Sequence, residues 1–325
     1  GCRLAAVSDL DRGRGETVAA GQARVFPDWR ELLALEEVEA VVVATPPPAH
    51  EEIVTAALER GKHVLCEKPL ANSVAACRRM LEAARRAGRV LTTGFNHRYF
   101  PAVKFLKHTL DSGRIGKLDH VRAFAGHEGL SQFRAAWMYD KEVMGGGALM
   151  DVGIHVIDLT RYLLGEVSQV YGVATSGVWG QAAEDNGVAI LRSPAGVPAT
   201  LHATWSEWKG YRFFVEAYGD RGMARAYYAP MFAMAIWSDR PGGRRRREYH
   251  FYPEIILREK FRGWETTTRL AFQEEFQDFV RLAGGDTRVS LADGFAGLRA
   301  VEIAGAVYAS TAGAGPVTLT PAPEG

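Results

Sequence analysis

The chain has 325 residues, 47% of them hydrophobic and 24% charged, an ordinary composition for a globular protein of about two domains. Its 39 basic and 38 acidic residues leave a net charge of +1, which offers no field to draw nucleic acid or an anionic membrane. Cys2, Cys66 and Cys77 are odd in number and lack CxxC spacing, so neither a disulfide framework nor a zinc site is indicated. No apolar run reads as membrane-spanning and nothing reads as a signal peptide, so the expected compartment is the cytoplasm.

The first hundred residues alternate strand and helix. Residues 3–8 read as a short strand ending at Asp9, and residues 11–21 as a helix stopped by Gly21. Residues 23–26 form a minor strand, and Asp28 caps a helix through Leu32, Leu33 and Leu35. Residues 39–44 are a nearly continuous apolar strand broken by Thr45 and three prolines. A helix over 49–60, a strand over 62–66, a helix over 73–87 and a strand over 89–94 follow. Such repetition with short connections predicts a doubly wound parallel α/β sheet. Ligands then sit beyond the carboxyl ends of the strands, which here carry Asp9, Thr45-Pro46, Glu67-Lys68-Pro69 and Asn96-His97-Arg98.

Residues 118–126, 167–175, 186–192, 198–206, 212–218 and 222–227 read as strands with little helix between them, and helix returns at 266–283 and 291–309. Between the two halves lies Gly145-Gly-Gly-Ala-Leu-Met-Asp151-Val-Gly-Ile-His155-Val-Ile-Asp158. Read as a helix at about 100° per residue, it places Asp151, His155, Asp158 and Tyr162 on one stripe of an otherwise apolar cylinder. Burying carboxylates and an imidazole is costly unless they are paired or used. The three glycines are expected to leave the helix N-terminus open to a ligand. This stretch reads as an active-site helix.

Four motifs come in order along the chain: Ala44-Thr-Pro-Pro-Pro-Ala-His50, Gly61-Lys-His-Val-Leu-Cys-Glu-Lys-Pro69, Gly94-Phe-Asn-His-Arg-Tyr99 and the glycine-led helix at 145–158. In order and spacing they resemble the Gfo/Idh/MocA family, named for glucose–fructose oxidoreductase, inositol dehydrogenase and a rhizopine-catabolism protein. The resemblance implies a Rossmann domain binding NAD(P) over 1–119 and an α/β substrate domain over 120–325. The second domain would be built on an open, mostly antiparallel sheet through which family members commonly form homodimers or homotetramers. The implied activity is hydride transfer between nicotinamide and a secondary alcohol of a sugar, cyclitol or related polyol. An NAD-retaining glycosidase and a non-catalytic nucleotide-sensing regulator are the alternatives on the same fold.

The resemblance also assigns roles. His155 would be the general base, with Lys68 beside the substrate oxygen and Asp151 on a second hydroxyl; Trp137 would face substrate, although the next residue is Met138 where the family often has Arg. Asp9 would hold the adenosine ribose, and an acid there favours NAD over NADP, with Arg12 as the one candidate phosphate partner. Thr45, Pro46 and His50 would line the cofactor edge, and Glu67 and Asn96 the nicotinamide ribose. No metal is expected. No Gly-x-Gly-x-x-Gly turn precedes Asp9, so the strand at 3–8 is expected to be the second of the fold, with a first strand, glycine loop and first helix missing. The strands at 3–8 and 39–44 should then either stand apart or pair directly. Arg244–Arg247 read as the tip of a solvated hairpin, His120 and His127 as strand residues without a metal, and Trp205, Trp208 and Tyr211 as either sugar-stacking or packing residues.

Overall fold

The computed structural model describes residues 2–129, 135–313 and 315–320, in two compact units. The first comprises Gly1–Gly94 with Glu275–Gly297. It runs β1 (Ala6–Ser8), α1 (Arg12–Ala19), β2 (Arg24–Phe26), α2 (Trp29–Leu33), β3 (Ala40–Val43), α3 (His50–Glu59), β4 (His63–Glu67), α4 (Val74–Ala87) and β5 (Leu91–Gly94). Caps set the alternation: Asp11, Asp28 and Ser73 accept the backbone N–H of Arg14, Arg30 and Ala76, and α4 stops at Gly88 with φ 60°. β3, β4 and β5 form a parallel sheet in that order, with Val64, Leu65 and Cys66 of its middle strand buried. β1 pairs in parallel with β2 as a separate sheet, so β1 and β3 are not directly paired. Thr93 N donates to Ala292 O at 2.9 Å, tying the returning segment to β5.

The second unit comprises Phe95–Glu274 with Leu298–Gly325. After a 3₁₀ turn at Asn96–Tyr99 come α5 (Pro101–Asp111), β6 (Leu118–Gly126), α6 (Lys141–Met144), a π-helical turn at Leu149–Gly153, and α7 (Ile154–Leu164). The strands β7 (Gln169–Thr175), β8 (Asn186–Arg192), β9 (Pro198–Thr204), β10 (Arg212–Gly219), β11 (Gly222–Tyr228), β12 (Phe232–Trp237) and β13 (Arg246–Phe251) follow. The chain closes with α8 (Pro253–Arg262), α9 (Glu265–Ala283), α10 (Gly294–Gly313) and β14 (Val317–Thr318). Nine strands form one sheet in the order β13-β12-β11-β10-β6-β9-β8-β7-β14, antiparallel except between β6 and β9.

Strand alternation gives this sheet a covered face and an open one. In β8, Gly187, Ala189 and Leu191 are buried, while Val188 and Ile190 are about half exposed. Tyr171 and Val173 of β7 extend the open face. On the covered face α7 packs on β6, β9 and β10, and α5 on β10, β11 and β12. Contrary to expectation, Lys141–Leu164 is long and apolar enough to resemble a membrane span; most of it is buried within the protein, as in a core helix. Of the four arginines expected at a hairpin tip, Arg244 and Arg245 lie in the turn between β12 and β13, whereas Arg246 and Arg247 begin β13 and pair with Trp237 and Ile236.

Candidate active site

The helix at the centre of the sequence is not regular. Gly153 N donates to Ala148 O at 2.8 Å, five residues back, so Asp151 sits on a π turn and His155 on the α-helix that follows. The extra residue re-aims Asp151 relative to the stripe expected from a uniform helix, a distortion frequent at functional sites. Asp151 Oδ2 accepts from the indole Nε1 of buried Trp205 at 3.1 Å and lies 2.9 Å from His127 Nε2. Gly129 N donates to His127 Nδ1 at 3.0 Å, so Nε2 carries the ring hydrogen and donates to Asp151. Two N–H groups from β6 and β9 ends thus fix the carboxylate. His155 is 8% exposed, and its ring centroid stands 3.8 Å from that of His97 and 6.1 Å from that of Phe95.

Two expectations for this helix are corrected. Its N-terminus is not open to a ligand: Glu184 fills it, accepting from Gly147 N at 2.7 Å and Leu149 N at 2.9 Å, with the Tyr308 hydroxyl donating at 2.8 Å. The glycines permit that approach, since a Cβ on Gly147 would stand 2.2 Å from the Glu184 carbonyl oxygen. Burial raises the Glu184 carboxyl above its usual range, and these donors pull the other way. Asp158 is no free second acid either; Arg98 clamps it from Nε at 2.8 Å and Nη2 at 2.5 Å. Trp137 stands part-exposed on a 3₁₀ turn at Ala136–Tyr139. Trp205 is wholly buried, Tyr211 bonds to His97, and Trp208 alone of the three doubtful aromatics is well exposed. His120 stacks on Tyr218 with centroids 4.4 Å apart.

In the first unit the expected residues gather at strand ends. Asp9 follows β1, its Oδ1 accepting from Asp11 N at 2.8 Å. The cation beside it is Arg14, with Nε 3.4 Å from Oδ2, and not Arg12, which pairs with Glu16 one turn along α1. Thr45 and Pro46 follow β3, and His50 behind them is buried. Its Nε2 is 2.7 Å from Thr45 O, and its Nδ1 is 3.2 and 3.1 Å from Pro69 O and Leu70 O. His50 therefore joins the loop after β3 to the turn after β4; burial holds its imidazole below the ordinary value. Glu67 ends β4, its carboxyl raised by burial, and Lys68 N donates to Oε2 at 3.2 Å. Asn96 Oδ1 lies 3.0 Å from His97 Nδ1 in the second unit.

Residues 1–95 match the family described as an oxidoreductase family with an NAD-binding Rossmann fold, and residues 103–225 match its GFO/IDH/MocA C-terminal domain. An inositol 2-dehydrogenase of Acidothermus cellulolyticus is 31% identical over 94% of this chain and 84% of its own. The chain belongs to the Gfo/Idh/MocA family. Inositol 2-dehydrogenase 2 of Saccharopolyspora erythraea is 35% identical over 68% of this chain, a match that spans 65% of that relative. A solved levoglucosan dehydrogenase, in complex with NADH and L-sorbose, aligns with TM-score 0.83 and 25% identity over 97% of this chain and 89% of its own. His97, Arg98 and His127, to which sequence reasoning gave no role, and Trp205 and Tyr211, which it left between sugar-stacking and packing, hold or adjoin the residues of the 145–158 helix. For His97 and Arg98 the signal was their placement with Asn96 at a strand end.

Proposed function

We propose that the protein is an NAD-dependent dehydrogenase acting on a secondary alcohol of a sugar, cyclitol or related polyol. The observation that carries this reading is the helix pairing a part-buried carboxylate, fixed by two N–H donors, with a buried imidazole four residues on. Relatives named for inositol and levoglucosan support the substrate class. His155 accepts the hydroxyl proton as the O–H and C–H bonds of the carbinol break and the carbonyl forms. The Lys68 ammonium favours the developing alkoxide. Asp151, already oriented by His127 and Trp205, holds a second hydroxyl, and Trp137 contributes to the substrate side. NAD, when bound, supplies the hydride acceptor.

The residues present fit that cofactor at the adenosine ribose. The Asp9 side chain is 30% exposed at the end of a parallel strand, able to accept from two ribose hydroxyls and repelling a 2′-phosphate. Thr45 and Pro46 line the cofactor edge, with His50 joining their loop to the Lys68–Pro69 turn, and Glu67 and Asn96 serve the nicotinamide side. The unit of residues 1–94 with 275–297 makes the cofactor half and the unit of 95–274 with 298–325 the substrate half. The open sheet face, with Tyr171, Val173, Val188 and Ile190 between 45% and 52% exposed, pairs with a second copy in a homodimer or homotetramer. A cytoplasmic setting, where NAD is available, goes with this chemistry. Lys68→Met and His155→Ala should each lower kcat by roughly 10²–10⁴, with NAD affinity changed far less. Near wild-type turnover by either variant would refute its role.

A further inference from the structure

His97 lies tilted against the proposed base, with planes 31° apart at the 3.8 Å centroid separation. Phe100 and Phe213 flank it at 4.9 and 5.0 Å, and its Nε2 is 2.5 Å from the Tyr211 hydroxyl. Burial, then the neighbouring Tyr228 and Asp151, hold the Tyr211 phenol well above its usual range, so it keeps its hydrogen, for which His97 Nε2 is the acceptor within reach among the described residues. His97 Nε2 is then the acceptor, and Nδ1 carries the ring hydrogen and donates to Asn96 Oδ1. A second hydrogen on the ring would turn the Tyr211 hydroxyl away from its acceptor, inside a wall of aromatic rings.

We propose that His97 is a positioning residue: Tyr211 and Asn96 hold it as a neutral imidazole whose face supports His155 and lies against the imidazolium that His155 becomes. A neutral π face attracts an adjacent cation, whereas a second imidazolium at this distance would repel it. Among the described residues, the titratable groups on the elements around the pair include Arg98 and Asp158, which neutralise one another, Asp151 with His127, and Tyr228, with Tyr99, Arg161 and Tyr162 on the same turn and helix. The functional part of this inference rests on His155 being the base. The protonation state of His97 does not, so the two can fail separately.

The test is a titration of the full chain labelled with ¹³C at histidine Cε1, followed by NMR, with the two resonances assigned by their loss in His97→Phe and His155→Gln. His97 should stay flat between about pH 5 and 8, where an ordinary imidazole titrates. Replacing it by Phe exchanges one neutral ring for another, and His155 should titrate within about 0.3 unit of its wild-type position. In Tyr211→Phe the acceptor nitrogen is released, His97 should begin to titrate, and His155 should fall by about one unit. An ordinary titration of His97 in the wild type overturns the proposal, as does a rise of about one unit at His155 in His97→Phe. A flat His97 in Tyr211→Phe overturns the part given to Tyr211. Should either variant fail to fold, the wild-type curve alone decides. Loss of turnover in His155→Ala tests the base assignment independently.

Discussion

Replacing Arg98 by Met should destabilise the second unit by about 3–5 kcal/mol. The side chains of Arg98 and Asp158 are 9% and 1% exposed, and two charge-assisted hydrogen bonds of 2.8 and 2.5 Å join them. The guanidinium also covers the Tyr162 ring, 4.5 Å from its centroid. Methionine keeps most of the stem but leaves the Asp158 carboxylate buried without this partner. The desolvation cost of that charge stays while the attraction that offset it is gone, which is why breaking a buried pair costs far more than breaking an exposed one. The exposed Arg12–Glu16 pair on α1 serves as the control, and Arg12→Ala should change stability within error. Adding Asp158→Leu to Arg98→Met removes the stranded charge and should recover most of the loss. Urea unfolding followed by tryptophan fluorescence reads both variants against the wild type. A single-variant loss under about 1 kcal/mol, or a double variant no better than the single, would refute the reasoning.

Three further outcomes are expected. Gly147→Ala forces a methyl group onto the backbone of Glu184 and should cost about 1–3 kcal/mol or more in the same unfolding assay, with activity falling in step. Burial raises the Glu184 carboxyl, so the folded protein holds that proton more tightly than the unfolded chain does. The stability of the wild type relative to Glu184→Gln should therefore fall as pH rises from below the ordinary carboxyl value of 4.5 through the raised native one, then level off. A difference that grows over that range would contradict the sign. Asp9→Ser removes the charge that repels a 2′-phosphate and leaves Arg14 beside it. The ratio of kcat/KM for NADP to that for NAD should rise about tenfold or more, and an unchanged ratio would show that Asp9 does not read the ribose.

What the sequence disclosed was local. Caps at Asp11, Asp28 and Ser73 and the break after Val43 follow from neighbouring residues, so the strand–helix alternation was readable from the chain. The six middle strands carry their own alternation or β-branched residues, and their ends move by two residues at most. β13 was not readable, because Arg246-Arg-Glu-Tyr-His-Phe251 is an edge strand with no buried face. The partners that build the site are long-range. Glu184 reaches Gly147 across 37 residues, Trp205 reaches Asp151 across 54, and Asp158 reaches Arg98 across 60. No periodicity encodes such pairs, and the π turn exists only because the chain closes one residue late at Gly153. Arg14 replaced Arg12 as the neighbour of Asp9 for a similar reason: the rotation of α1 decides which arginine returns toward the strand.

The central claim is net oxidation of a polyol carbon, and the most direct measurement is NADH absorbance while the full chain is offered NAD with myo-inositol, levoglucosan and a panel of sugars and sugar acids. At least one substrate should give NADH and ketone in equal amounts, and the His155→Ala variant should give neither at a comparable rate. Cleavage of a glycoside without net NADH would instead identify a glycosidase that returns its hydride. Tight NAD binding with no turnover on any member of the panel would contradict the dehydrogenase account in favour of a nucleotide sensor.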